Sequence, residues 1–241
     1  MTGVQLELLL HRDHYPVVID RVLAARRSVW IATANLKELM IEDAQLVPGR
    51  RRGRQRFRSV LEAFSELAER GVELRILHAS LPSRVFQRDF DRQKKLVKGG
   101  LQLRLCPRTH LKLVIVDGEH LYLGSANWTG AGLGAKHVDR RNFELGLLTR
   151  DESLLDAAQE AFESIWRGGE CGSCRLRDEC PMPLDVFALK PPRATLPDPL
   201  AAESSKAQRA KPAAAASSKR QRLKLAAAVS SKRQRGKPAR G

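Results

Sequence analysis

His110 and Lys112 stand two residues apart at the start of "HLKLVIVDGEHLYLGSAN", residues 110–127, beside the most hydrophobic run of the chain. At that spacing an imidazole and an ammonium share one face of a strand. Asp117-Gly118 is a dipeptide favoured in two-residue hairpin turns, which need positive φ at both positions. Such a turn predicts Val116 opposite Glu119, Val114 opposite Leu121, Lys112 opposite Leu123 and His110 opposite Ser125. Asn127 follows one step further on. The open end of the hairpin then gathers His110, Lys112, Ser125 and Asn127. Asp117 lies at the other end, roughly 20 Å away at about 3.3 Å per residue, and reads as a turn and anchoring residue. The gathered set suits phosphoryl transfer. A neutral imidazole is a nucleophile towards phosphorus, and Lys and Asn donate to non-bridging oxygens as charge develops there. A His–Lys pair alone would be read as a satisfied imidazole beside a snorkelling lysine. The whole spacing, His-x-Lys-x4-Asp-x6-Gly-Ser-x-Asn, tips the reading towards chemistry.

With His110, Lys112, Asp117, Gly124, Ser125 and Asn127, the chain resembles the phospholipase D superfamily and its HKD motif. That family also tends to carry Asn-x-Glu on a following strand, and "RNFELGLL" supplies Asn142 and Glu144. The resemblance implies phosphodiester cleavage through a covalent phosphohistidine with no catalytic metal. It implies a phospholipase D-like fold over roughly residues 5–168 and a role for Glu144 in orienting or polarising a catalytic histidine. An ordinary strand-edge carboxylate is the competing reading of Glu144. The family's site uses two HKD motifs, one His as nucleophile and one as general acid. None of His11, His14, His78, His120 and His137 has a lysine two residues later. The resemblance therefore implies a homodimer whose two-fold axis supplies the second His, Lys and Asn.

At 241 residues and 42% hydrophobic, the chain is long enough for one sizeable core. Of the net +16, residues from Ser204 onward carry +12, with twelve Lys and Arg and no acid, which leaves a body of about +4. No apolar run reaches membrane-span length, and "MTGVQLELLLHRDHY" does not read as a signal peptide, so a cytoplasmic location is expected.

Strands and helices alternate, which predicts an α/β domain with a mixed β-sheet flanked by helices. Strands are expected at Ser28–Thr33, Val72–Leu77, Leu101–Leu105 and Phe143–Leu148. Helices are expected at Val17–Arg26, Ser59–Arg70, Phe86–Val97 and Glu152–Trp166. A loop holds Arg50, Arg51, Arg52, Arg54, Arg56 and Arg58, suited to phosphate contacts, with Phe57 available to stack on a base. A solvated loop explains the same arginines equally well. His78, just past its strand, reads as a structural loop histidine rather than a site residue.

The body, residues 1–168, is followed by a Cys-rich segment (169–185), a linker (186–203) and a basic tail (204–241). The tail repeats "SSKAQRAKP", "SSKRQRLKL" and "SSKRQRGKP", a composition that cannot bury a core and is expected to be disordered. Polybasic tails bind nucleic acid by counterion release and also bind anionic membrane surfaces. Without an apolar anchor, nucleic acid is the favoured partner, DNA ahead of RNA. Cys171, Cys174 and Cys180 form Cys-x2-Cys-x5-Cys-Pro, and Cys106, the remaining cysteine, is the candidate fourth metal residue, though the spacing does not say whether it reaches them. The three resemble ligands of the iron–sulfur site in base-excision DNA glycosylases and some DNA nucleases, so a 4Fe-4S cluster is one candidate. Structural zinc is the other. Catalysis itself is expected to need no cofactor. The favoured activity is a phosphodiesterase on nucleic acid, an endonuclease. The rivals are a phospholipase D acting on lipid head groups and a non-catalytic nucleic-acid-binding protein.

Overall fold

The computed structural model describes residues 3–42 and 57–189. The chain falls into two units, Met1–Pro199 and Leu200–Gly241, and the second lies wholly outside the described residues. The Cys-rich segment belongs to the first.

Nine strands form among the described residues: β1 (Leu6–Leu10), β2 (Ser28–Thr33), β3 (Met40–Glu42), β4 (Phe57–Ser59), β5 (Glu73–His78), β6 (Gln102–Leu105), β7 (Leu113–Val116), β8 (His120–Gly124) and β9 (Leu145–Thr149). The α-helices are α1 (Asp20–Leu23), α2 (Val60–Glu69), α3 (Arg84–Arg92) and α4 (Glu152–Trp166). Seven strands make one sheet in the order β1-β9-β8-β7-β2-β5-β6. β2, β5 and β6 are parallel, while β7, β8, β9 and β1 continue the sheet antiparallel. This is the mixed sheet flanked by helices that the sequence predicts.

The two long helices that cover the sheet each have an apolar stripe and a start signal. Ser59 Oγ accepts from Leu61 N at 3.0 Å at the head of α2, and Asp151 Oδ1 accepts from Leu154 N at 3.0 Å at the head of α4. On one sheet face, Val60, Leu61, Phe64 and Leu67 of α2 pack with Val29, Ile31, Val114 and Tyr122. On the other, Leu155, Phe162 and Trp166 of α4 cover Ala32, Leu77, Leu113, Ile115 and Leu121. Arg104 of β6 lies 4.3 Å under the Trp166 ring and donates to the Trp166 carbonyl, fixing the end of α4 to the β6 edge. Burial, followed by the charge of Arg75, pushes its pKa down to about 10.

The hairpin differs from its predicted register. Asp117 and Gly118 both have positive φ, at 57° and 67°, as the turn demands. The ladder nevertheless pairs Val116 with His120, Ile115 with Leu121, Val114 with Tyr122 and Leu113 with Leu123. Glu119 is the extra residue. Its N–H still donates to the Val116 carbonyl at 2.9 Å, as the two-residue turn requires, and the ladder begins one residue later at His120, so Glu119 and His120 both stand opposite Val116. Continued past Leu113, this register sets His110 beside Ala126, not Ser125. Two helices also differ. A wide turn over Tyr15–Ile19 leads into the short α1, and α3 stops at Gln93, whose ψ of 84° breaks it before Leu96–Gly100.

Asp117 anchors the hairpin to the start of β2. Its carboxylate accepts the backbone N–H groups of Arg26, Arg27 and Ser28 at 2.7 to 3.1 Å. Burial pushes its pKa up, but those N–H bonds and the Arg27 charge together outweigh it and hold the group below its usual value. Stability from Asp117 is therefore present above the unfolded carboxyl pKa, about 3.9, and is lost as pH falls below it. Asp117→Ala should destabilise the fold by about 2 kcal/mol at neutral pH, because three donors lose their acceptor. Urea unfolding at pH 7 and pH 3 checks this: the gap between variant and wild type should shrink at the lower pH.

Candidate active site

The strand directions put one edge of the sheet in charge of the chemistry. β2, β5, β6 and β8 end there, while β7 and β9 begin there. Open α/β sheets place ligands at the carboxyl ends of their parallel strands. His110 and Lys112 lie on the extended approach to β7, Ser125 and Asn127 just beyond β8, and Asn142 and Glu144 just before β9. The expected strand Phe143–Leu148 starts at Leu145 instead, so these last two belong to the edge loop.

His110 is exposed and Lys112 half-buried. Lys112 Nζ stands 3.3 Å from His110 Nε2 and donates to the His110 carbonyl at 2.9 Å. An ammonium has only donors, so the ring contact uses a lone pair on Nε2 and places the ring proton on Nδ1. The nitrogen facing Lys112 is thus the unprotonated one. Asn127 turns its carbonyl oxygen towards β2, accepting from Thr33 Oγ1 at 3.2 Å and from Ala34 N and Asn35 N at 3.1 Å each. Those bonds use Oδ1 alone and leave the Nδ2 donors for other partners.

Ser125 is expected to join the His110 chemistry, and the structure assigns its hydroxyl elsewhere. Ser125 Oγ donates to Glu144 Oε2 and accepts from Leu145 N at 3.1 Å. Asn142 Nδ2 donates to the other Glu144 oxygen at 2.9 Å. The buried Glu144 carboxylate is therefore tied to Ser125 and Asn142, and not to His110 of its own chain as orienting it would require. Gly124 has a packing reason. A Cβ there would sit 2.3 Å from Tyr122 Oη, and one at Gly146 would sit 2.4 Å from the same ring. The Tyr122 ring crosses both glycines and meets the fully buried His14 edge-on, with ring centroids 5.5 Å apart. Burial pushes the Tyr122 phenol up, so it stays neutral.

Several predicted positions fall away from this edge. Arg50, Arg51, Arg52, Arg54 and Arg56 lie outside the described residues. Arg58 is described, and its guanidinium is engaged by Glu66 of α2, so it is held by the fold rather than offered to a phosphate. The four cysteines line a cavity whose wall contains none of His110, Lys112, Ser125, Asn127 or Glu144. Sequence reasoning missed Phe143, which is 90% exposed and meets His11 edge-on at 5.3 Å. Phe143 was expected to open the last strand, and its place in the loop before β9 leaves its ring on the surface.

An imidazole whose Nε2 faces an ammonium thus stands at the carboxyl edge of a mixed α/β sheet, in the same edge loops as a carboxylate held by Ser125 and Asn142. Residues 18–166 match the family described as cardiolipin synthase, PLD-like domain. The chain belongs to this phospholipase D-like family of phosphodiesterases. Among solved structures it is similar to NucT from Helicobacter pylori, at 18% identity over 67% of this chain and 95% of that one, with a TM-score of 0.46. It is similar to Nuc from Salmonella typhimurium, at 16% identity over 68% and 95%, with a TM-score of 0.48. It is also similar to the phosphatidylserine synthase of Haemophilus influenzae, at 18% identity over 69% and 39%, with a TM-score of 0.44. No curated protein matches the sequence.

His78, at the end of β5, is fully buried beneath the loop that carries His110. Its carbonyl accepts from Cys106 N at 2.9 Å, and its Nδ1 pairs with the Ser80 carbonyl at 2.9 Å. Burial lowers its pKa from 6.5 to about 4. A depressed folded pKa means that the unfolded chain binds the proton first, so stability falls as pH drops from about 6.5 towards about 4. The contribution is on the order of 3 kcal/mol. His78→Gln should flatten the wild-type loss of stability across that window by close to one proton, measured as unfolding free energy against pH.

Proposed function

We propose that the protein is a homodimeric endonuclease-type phosphodiesterase acting on nucleic acid, DNA in preference to RNA. The observation that carries this reading is His110 Nε2 with its lone pair beside Lys112 Nζ at the sheet edge. In the proposed reaction Nε2 attacks phosphorus, forming the P–N bond as the bond to the leaving oxygen breaks. Lys112 and the Asn127 amide donate to the non-bridging oxygens, whose charge grows in the transition state. The leaving oxygen takes a proton from His110 of the second subunit. That imidazole then accepts a proton from water, which cleaves the phosphohistidine and regenerates Nε2.

A single chain has one such histidine, so the reaction calls for a second copy. A surface for it adjoins the site. β1, β9 and β8 turn Leu8, Leu10, Leu145 and Leu123 to solvent on the face that α4 covers further along the sheet. Leu8 pairs with Leu147, Leu147 with Leu123, and Leu10 with Leu145, so the leucines form one contiguous patch that reaches Ser125. An exposed apolar patch of this kind supports the dimer reading, since an isologous contact there would bring two sites towards one axis. Nucleic acid is favoured as substrate by the tail charge of +12 and by the exposed Lys37, Lys136 and Arg140 of the described unit.

Single-stranded DNA, duplex DNA, RNA and phosphatidylcholine, each offered in EDTA, separate the substrate classes. The DNA substrates should be cut fastest, and His110→Ala should lose about 10³-fold or more. Head-group release without DNA cleavage would move the substrate to lipid, and a strict need for added divalent metal would sink the phosphohistidine route. Mixing His110→Ala with wild type under subunit exchange should lower activity as the square of the wild-type fraction. A linear decline would mean independent monomeric sites. Removing residues 204–241 should weaken DNA binding and flatten its salt dependence by about 0.7 to 0.9 for each phosphate the tail had neutralised. Turnover of a short oligonucleotide should change little.

A further inference from the structure

Residues 169–184 fold with almost no apolar interior. Cys171, Cys174 and Cys180 are half-buried, Leu176 is exposed, and Leu184 alone is buried, against Phe162 and Trp166 of α4. The backbone is a chain of tight turns: Cys174 N donates to Cys171 O at 3.3 Å, Arg177 N to Cys174 O at 3.0 Å and Cys180 N to Arg177 O at 3.2 Å. The ends close on each other. Gly168 has φ of 76°, and a Cβ there would lie 2.2 Å from Asp185 N. A lobe this small, without a core, ordinarily depends on a crosslink or a bound metal.

One cavity offers that crosslink. Its wall holds Cys106, Cys171, Cys174 and Cys180, which are all the cysteines of the chain, together with Arg108 and Arg177. None of the four is in a disulfide. Three come from the lobe, and Cys106 comes from the loop after β6. We propose that these four thiols bind an iron–sulfur cluster of the [4Fe–4S] type, with Cys106 as the ligand that staples the lobe to the body.

The arrangement favours a cluster over a single ion. Zinc draws four thiolates to one point, at about 2.3 Å each. Among the described residues no three His, Cys, Asp or Glu side chains converge in that way. Thiols spread around a shared cavity suit a group several atoms across, in which each iron takes its own cysteine. The donor set is wholly thiolate, the soft ligand that iron–sulfur clusters use. Four thiolates leave such a site negatively charged, and two guanidiniums flank it. Arg177 Nη1 donates to the Cys171 carbonyl at 3.0 Å and pairs with Asp185 at 2.6 Å. Arg108 lines the same cavity, with its side chain beside that of Cys174.

The staple bears on the catalytic edge. Cys106 lies four residues before His110, and Thr109 N donates to Cys106 O at 2.9 Å, so the turn that starts at the proposed ligand ends at the histidine. This consequence for His110 rests on the catalytic reading above; the cluster itself does not.

The full chain purified without oxygen, assayed for iron, acid-labile sulfide and zinc, tests the proposal. Wild type should hold about four iron and four sulfide per chain and absorb near about 400 nm. Cys106→Ser should lose iron as fully as Cys174→Ser. Zinc without iron, metal-free protein, or full iron in Cys106→Ser would each overturn the four-thiolate cluster. If the variants aggregate, wild type alone decides. Stripping iron with ferricyanide and EDTA should speed tryptic cleavage at Arg175 about tenfold, because the lobe loses its staple. Unchanged cleavage would overturn the staple. Nuclease activity is no part of either readout, so failure of the proposed function would leave this result standing.

Discussion

β2 is gripped at both ends by the hairpin beside it, and the candidate site depends on that double hold. At the start of β2, the Asp117 carboxylate accepts the N–H groups of Arg26, Arg27 and Ser28. At its end, the Asn127 carbonyl oxygen takes Thr33 Oγ1, Ala34 N and Asn35 N, and Trp128 N donates to Thr33 Oγ1 at 2.9 Å. Hydrogen bonds to a charged acceptor contribute about 1.5 to 3 kcal/mol each, and neutral ones about 1 kcal/mol. The two clamps fix both the height and the register of β7 and β8 against the parallel half of the sheet. Asp117 at the turn and the carbonyl oxygen of Asn127 at the open end therefore set where His110 and Lys112 enter.

The same clamps explain which parts of the fold are legible in the chain. β2 and α4 have the predicted bounds, Ser28–Thr33 and Glu152–Trp166, because local signals suffice there: a β-branched apolar run, and an Asp151 cap ahead of an apolar stripe. The hairpin register was not legible from the turn dipeptide. Asp117-Gly118 does make the turn, closed by Glu119 N to Val116 O, but an extra residue at Glu119 shifts the ladder beyond it. A one-residue change reassigns every cross-strand partner. Likewise the motif spacing identifies His110, Lys112 and Asn127, yet only the fold shows that Ser125 and Asn142 hold Glu144. Cys106 was a candidate in the sequence, but its proximity to the other three was not legible, for a similar reason. It reaches its companions through the packing of α4 on the β6 edge, where Arg104 holds Trp166, and no spacing in the sequence records that proximity.

Arg58 shows the reverse error. Five arginines stand between residues 50 and 56 just before it, so charge density made a phosphate contact one of two readings, whereas Glu66 of α2 already engages its guanidinium. A surface ion pair of this kind contributes little stability, but it removes one cation from those ready to meet a polyanion. Other positive charge of the described unit sits in loops such as those of Lys37 and Lys136, where an exposed side chain can reach a phosphate.

Sheet support for the site is uneven, and the weakest point coincides with the thiols. Asn127 and Glu144 are each held by several hydrogen bonds to neighbouring elements. His110 has no ladder beneath it, since β7 pairs only from Leu113 onward and the nearest backbone bond on the hairpin side is Gly124 N to Lys112 O at 3.1 Å. Upstream, the loop leaves β6 at Leu105, takes one bond from Cys106 N to His78 O, and turns at Thr109. In the proposed reaction His110 must hold its attacking atom within a fraction of an ångström of the productive position, because small misplacements cost large factors in rate. A loop with so few backbone bonds needs a fastening from outside the sheet. The cavity that joins Cys106 to Cys171, Cys174 and Cys180 is where the structure offers one, at the point where sheet hydrogen bonding gives out.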